Sequence, residues 1–322
     1  MLVSVSHSTK GTAMNDSASK RVLLINDMAG YGKVALSTMI PILSHLRHQV
    51  FNLPTALVSN TLDYGTFDIL ETTGYMRNAI AAWDELGFTF DAVATGFLVS
   101  EEQTRLVKDF CRARHEAGAA VFVDPIMGDD GALYNGVGEA TVGYMREMCA
   151  TADVIMPNVT EAAFLAGRFA GQVAPEGPGL TREQAGALVD ELHALGAGAV
   201  VVTSCPLVAE EGDAAQGRER VGGHATLVSE RAGAPLTVLP YDEVPIRFPG
   251  TGDIFSAVLI GDALSGTPLA LATQHAMDTV RDLLIENRDN EDTFKGIPIE
   301  LYLDRIAGDG RVVSASAAEA TR

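Results

Sequence analysis

From Arg21 onward, short apolar and β-branched runs alternate with stretches of helical spacing: "RVLLIND", "QVFNLPTALV", "DAVATGFL", "AAVFVDP", "DVIMPN" and "AVVVTS". Strands that are apolar at nearly every position have no solvent face, so they predict a parallel sheet covered by helices on both sides. Two helix starts are marked by Ser100 with Gln103 and Thr181 with Gln184, the capping-box pattern that satisfies free amides of a first turn. After Ser204 the rhythm changes: a polar, Gly- and Glu-rich stretch through residue 222 precedes "ATLVSE" and "LTVLPYDEV", which predict an antiparallel ribbon on the sheet edge. The acidic part, Glu210 to Gly222, reads as a solvated insertion or a flap near a ligand. The chain then enters "RFPGTGDIFSAVLIGDALSG" and a helical stretch from Pro268 to about Asn287. No repeat or linker divides the pattern. The expected organisation is one α/β domain over residues 21–307, a polar tail at 1–20 and a loose Ala/Ser-rich tail at 308–322.

Composition narrows the partners. The chain has 322 residues, 47% of them hydrophobic, with 32 glycines, which suits a sheet whose layers approach closely. Its net charge of −19 leaves no basic stripe for nucleic acid or an anionic membrane, although backbone amides can still hold a phosphorylated ligand locally. Cys111, Cys149 and Cys205 are scattered and odd in number, which fits buried thiols in a reducing, cytoplasmic setting. No apolar run approaches the ~18 residues of a spanning helix. The seven histidines form no metal-ligand spacing, and Ser204-Cys205 lacks the frame of an esterase nucleophile. Trp83, in phase with Met76, Ile80 and Leu86, reads as core.

The stretch "INDMAGYGKVALST" (25–38) resembles two nucleotide cradles. As a P-loop it fails, because Asp27 stands where the first glycine belongs and Val34 replaces the metal-binding hydroxyl. As a dinucleotide fingerprint it offers Gly30, Gly32 and Ala35, but the second strand has no acid between Gln49 and Asn60 to hold a ribose. Ligands of open parallel sheets lie outside the carboxyl ends of the strands, so the residues ending the strands form one candidate set. "PGTGD" is the strongest member. Gly250, Thr251 and Gly252 at a helix start would present free amides to an anion, and Asp253 beside them could accept a proton; alternatively the glycines make a turn and Asp253 a cap. Asp124 in "VFVDPIMGDD" ends a strand where a hydrated Mg²⁺ would need a carboxylate, or simply opens a turn. Asn158 and Glu161 in "MPNVTEAAF" read in isolation as an N-cap and a first-turn acid. Two acids and an anion hole at the strand ends of one sheet are what metal-assisted phosphoryl transfer requires.

The ordered set "PTALVSN", "TGFL", "VDPIMGD", "PNVTEA", "VVTS" and "GTGD" resembles the pyridoxal kinases of the ribokinase-like superfamily, over about residues 21–307. The resemblance implies ATP-dependent phosphorylation of the 5′-hydroxymethyl group of vitamin B6, with ATP and Mg²⁺ as cofactors, a monovalent cation (K⁺ or Na⁺) as a further one, and a homodimer as the family habit. It implies Asp253 as catalytic base with Gly250, Thr251 and Gly252 as the anion hole. Asp124 and Glu161 would organise Mg²⁺. Asp129, Asn158, Thr203, Ser204 and Thr251 would face the nucleotide, and Thr55, Asn60, Phe97 and Tyr134 the pyridine substrate, with Thr55 bonding its ring. Two residues depart from the family pattern. Asp27 stands where many members have the serine of "QSHV", and Phe97 where tyrosine is common. A carboxylate at 27 is expected to shift preference among the vitamers toward the amine-bearing pyridoxamine, with Gly30 and Gly32 letting the backbone turn beside the ring. The nearest rival, a hydroxymethylpyrimidine kinase, usually has cysteine at the position of Asp253. Sugar kinases of the superfamily fit less well, because their N-terminal glycine pair and sugar-binding acid have no counterpart here. A nicotinamide-dependent oxidoreductase and a non-catalytic pyridoxal phosphate sensor are the alternatives of other classes.

Overall fold

The computed structural model describes residues 19–134, 138–208 and 223–306; both tails beyond these limits and the acidic insertion before Gly223 lie outside the described residues. Strands β1 (Arg21–Tyr31), β2 (Gln49–Asn60), β3 (Ile69–Glu71), β4 (Ala92–Thr95), β5 (Ala120–Val123), β8 (Val154–Ile155), β9 (Ala199–Leu207), β10 (Gly223–Ser229) and β11 (Thr237–Tyr241) form one sheet. Its order is β11-β10-β9-β8-β5-β4-β1-β2-β3. Strands β6 (Gly128–Asp129) and β7 (Ala132–Leu133) form a separate small hairpin. The helices are α1 (Leu36–His45), α2 (Thr73–Leu86), α3 (Glu101–Glu116), α4 (Glu139–Cys149), α5 (Val159–Ala166), α6 (Ala170–Val173), α7 (Arg182–Ala194), α8 (Thr251–Leu264) and α9 (Leu269–Glu286).

The apolar runs behave as their pattern predicts. Strand β1 sends Leu23 and Ile25 into a core shared with α2, α3, α4, α5 and α7, and Val22 and Leu24 into a second core with α1, α8 and α9. Both faces are buried, which is why the strand carries no polar alternation. Helix α8 is buried at every position from Ile254 to Asp262, so it is apolar all round instead of amphipathic. Six strands from β2 to β9 run parallel, and β10 and β11 add the antiparallel ribbon read from the sequence. The opposite edge was not foreseen: β3 pairs antiparallel with β2, placing Leu57 against Leu70.

Thr181 and Gln184 form a complete capping box. Ser100 caps α3, but Gln103 bonds Val99 N–H (3.0 Å) instead of the cap's own amide and donates to the Thr55 carbonyl (2.7 Å). The three cysteines are buried and unpaired; Trp83 is half-buried, packing edge-on against Phe90 at 5.7 Å at the margin of the core, and Leu86 is exposed. No described helix is long and apolar enough to cross a membrane.

Candidate active site

From β1 the chain goes to β2 on one side and reaches β4 on the other, so the strand order reverses at β1. Crossovers that diverge in this way leave a crevice at the carboxyl ends of the strands. A cleft of roughly 1880 Å³ runs across them. That exceeds the ~300–1000 Å³ of one small-ligand site and leaves room for two ligands to meet. Following the sheet order, its floor presents Thr203 and Ser204 on β9, Asn158 after β8, Asp124 after β5, Phe97 after β4, Asp27 on β1 and Asn60 on β2. Asp129, Tyr134, Glu161 and Gly250 to Asp253 complete the candidates that line it.

Two irregularities in the sheet lie on this floor. Asn26 pairs with Pro54 but Met28 with Leu57, so β2 carries one extra residue opposite Asp27. Similarly Ala225 pairs with Cys205 but Leu227 with Val202, and the extra residue in β9 falls at Thr203–Ser204, where Ser204 has φ 57°. Bulges re-aim side chains, and here they do so at two places along one cleft.

Asp253 is held from two sides. Its Oδ2 accepts the Ala35 N–H at 2.7 Å, and its Oδ1 accepts a longer bond from Asn26 Nδ2 at 3.4 Å. Burial pushes its pKa up to about 6 in spite of those bonds. Burial and then the neighbouring Asp253 charge push Asp27 up to about 7. The carboxylates continue inward. Asp124 is raised by burial and by Asp253 while accepting a bond from Ser256 Oγ (3.1 Å), and Glu161 is raised well above its usual range by burial and by Asp124. No ion pair joins any of these four acids to a described Lys, Arg or His.

Glu161 closes a complete capping box with Asn158, the structural role its spacing suggests. Its Oε2 accepts the Asn158 N–H (2.8 Å) and its Oε1 the Met127 N–H (3.0 Å), while Asn158 Nδ2 donates to the Gly128 carbonyl (2.8 Å). Thus α5 is tied to the base of the β6–β7 hairpin. Among the described residues no three His, Cys, Asp or Glu converge as a metal cage. Asp124 and Glu161 nevertheless fit Mg²⁺, a hard cation that takes one or two carboxylates and completes its shell with water and phosphate. Each is a hard oxygen donor, and their mutual repulsion is what a cation would relieve. Arg247 on the other wall pairs with Asp130 (3.1 Å) and lies 3.7 Å from Asp129, bringing the hairpin and the approach to α8 together across the cleft.

At the start of α8, Gly250 has φ 85° and no side chain caps the helix. The first amides therefore face the cleft unclaimed by a cap, a ready anion site. The two glycines have different reasons to be there. A Cβ on Gly250 would lie 2.3 Å from the Lys33 carbonyl, whereas one on Gly252 meets nothing within 4 Å. Gly250→Ala is therefore expected to lower Tm and distort the turn, and Gly252→Ala to leave Tm within about 2 °C of wild type, since open surface substitutions are usually near neutral. Thermal denaturation of the two variants side by side checks this.

Thr55 is not brought to the cleft. It is fully buried, its hydroxyl donates to the Phe97 carbonyl (2.9 Å), and its carbonyl accepts from Gln103 and Thr72, so in this structure it braces β2. Gly30 and Gly32 also differ from expectation. Gly30 lies within β1, where a Cβ would approach the Ser59 carbonyl to 2.9 Å, and a Cβ on Gly32 would strike Thr61 Cγ2 at 2.3 Å. They seat β1 against β2 and do not line a ring. The amide a dinucleotide would need at α1 is taken by Asp253, which removes the structural basis of the nicotinamide alternative. Asn26, 2% exposed beside Asp253, belongs to the set of residues that end apolar runs, but the sequence assigns it no role; its polarity at the end of an apolar run was its only signal.

Pyridoxal kinase from Bos taurus is 30% identical over 181 residues, 53% of each chain, so the chain spans about half the length of the curated relatives it matches first. A structure from Bacteroides thetaiotaomicron, named for phosphomethylpyrimidine kinase and solved with pyridoxal, is 30% identical, covers 89% of this chain and 96% of its own, and superposes with a TM-score of 0.77. Pyridoxal kinase from Leishmania donovani in complex with ADP and pyridoxamine is 25% identical over 89% of this chain and 96% of its own, with a TM-score of 0.73. The phosphomethylpyrimidine kinase family matches residues 55–295. With that span and those neighbours, the chain belongs to the phosphomethylpyrimidine kinase family and has the ribokinase-like fold of the pyridoxal kinases.

Proposed function

We propose that the protein transfers the γ-phosphoryl group of ATP to the 5′-hydroxymethyl group of a vitamin B6 pyridine. The observation that carries this reading is the pairing of Asp253 with the uncapped start of α8 in a cleft large enough for two ligands. Asp253 Oδ2 is committed to Ala35, so Oδ1 is the oxygen that receives the hydroxyl proton as the acceptor attacks. The amides of Gly250, Thr251 and Gly252 hold the charge that spreads over the transferring phosphoryl oxygens. Asp124 and Glu161 are the residues that would hold Mg²⁺ and its waters; bound there, the ion supplies charge neutralisation between the phosphates. Thr203, Ser204, Asn158 and Asp129 face the nucleotide in this reading, and Asp27, Asn60, Phe97 and Tyr134 the pyridine. A monovalent cation and a homodimer accompany it by analogy with the family.

The family's name, phosphomethylpyrimidine kinase, keeps hydroxymethylpyrimidine or its phosphate as the acceptor of the second reading. One panel separates them: ATP consumption with pyridoxal, pyridoxine, pyridoxamine and hydroxymethylpyrimidine, with Asp253→Asn as control. Turnover confined to the B6 vitamers is the expected result. Turnover with the pyrimidine alone overturns the choice of substrate, and no turnover with any acceptor overturns the kinase reading.

A further inference from the structure

Asn26 ends the apolar part of β1 at the point where the sheet reverses order, and its side chain touches three elements. Its Oδ1 accepts two backbone N–H groups, from Asp27 at 3.0 Å and from Phe97 at 2.8 Å. The orientation of the amide is thereby fixed, because a flipped NH₂ would face two donors. With Oδ1 so engaged, Nδ2 must point at Asp253 Oδ1, 3.4 Å away, with the Met39 sulfur at 3.7 Å as its other neighbour. Space around it is reserved. Gly96 has an ordinary backbone, yet a Cβ there would come within 2.4 Å of Asn26 Nδ2, so the residue after β4 must be glycine for the amide to lie flat across the strand ends.

We infer that Asn26 is a positioning residue for the transfer step: its locked amide presents one N–H to Asp253 Oδ1 and sets the direction from which that oxygen receives the acceptor's proton. This rests on the reading of Asp253 as the base. The same amide also fixes the start of the segment carrying Phe97, so one buried side chain sets the spacing between the base and the acceptor's wall. Groups facing the Asp253 carboxylate are Asn26, the Ala35 amide, and the carboxylates of Asp27 and Asp124; no described cation stands among them. Removing the Asn26 donor therefore leaves nothing on that side to favour the ionised form.

The test uses the full chain and measures kcat/KM for the vitamer of highest turnover from pH 5 to 9. Asn26→Asp keeps the shape but replaces the donor with an acid; Asn26→Ser is the milder second variant should the first fail to fold. Both are expected to lower kcat/KM on the order of 10²-fold, the cost of a misplaced reacting group, with KM for ATP within about threefold of wild type. The half-point of the acid limb should move upward by about one pH unit, which a purely structural loss would not do. A folded variant with an unmoved acid limb and wild-type kcat/KM overturns the inference. Asp253→Asn is run in parallel: if it retains wild-type turnover, the base reading fails and takes this inference with it.

Discussion

Asp253→Asn is expected to reduce kcat by about 10²–10⁴-fold, the range associated with loss of a general base, without unfolding the chain. The replacement keeps the size of the side chain, and its carbonyl oxygen can still accept the Ala35 N–H that holds Oδ2. What it loses is the capacity to take a proton at the oxygen facing the cleft. Since the α8 amides remain, ATP should bind with a KM close to wild type, so the loss falls on kcat. The wild-type profile supplies the matching check. With its pKa raised to about 6, Asp253 is protonated and inactive as a base below that pH, and kcat/KM should fall with unit slope toward acid. Steady-state kinetics that leave Asp253→Asn above a tenth of wild-type turnover exclude it as the base.

Asp27→Asn should change both selectivity and stability. No described donor other than its own backbone is directed at the Asp27 carboxylate, and it lies in the cleft beside Asp253. A protonated amine on the acceptor would supply the missing partner. A charge-assisted hydrogen bond contributes about 1.5–3 kcal/mol, so the ratio of kcat/KM for pyridoxamine over pyridoxine should fall roughly 10–100-fold in the variant. An unchanged ratio removes Asp27 from substrate choice. The stability effect has a defined sign. Asp27 titrates near 7 in the folded chain and near 3.9 in the unfolded one, so its contribution is most favourable below pH ~4 and is lost as pH rises through about 7. The variant, uncharged at every pH, should melt higher than wild type at pH 8, by on the order of 2 °C, and equally near pH 4. The ligand-free protein is the form to melt, since a bound cation in the cleft would mask the repulsion.

These two residues illustrate what the sequence could and could not disclose. Patterns that depend on neighbours along the chain were readable: the two-faced apolar strands, the box at Thr181 and Gln184, and the glycine turn opening α8. The gathering of Asp124, Glu161 and Asp253 was readable too, because strand ends of a parallel sheet share one edge. Roles that depend on register were hidden. Thr55 faces inward because β2 gains a residue just there, and no hydrophobic pattern announces a bulge. Asn26 meets a partner 227 positions away, so nothing local distinguishes it from any polar residue at a strand end. Gly30 and Gly32 read as a ligand cradle from their motif alone, while their reason lies in the backbone and side chain opposite.

One carbonyl has a wider consequence. The Lys33 oxygen is the atom that forbids a side chain at Gly250 and also at Gly296, where φ is again in the left-handed region at 78°. The loop after β1, the start of α8 and the segment after α9 are thus wedged on a single residue, whose N–H is bonded to the Lys295 carbonyl at 2.7 Å. In the proposed reading the acceptor side and the phosphate side share this pivot, which holds their spacing. The enzyme would then measure its alcohol by reach, as a fixed caliper does, and reject a homologue with one more methylene even where its ring fits.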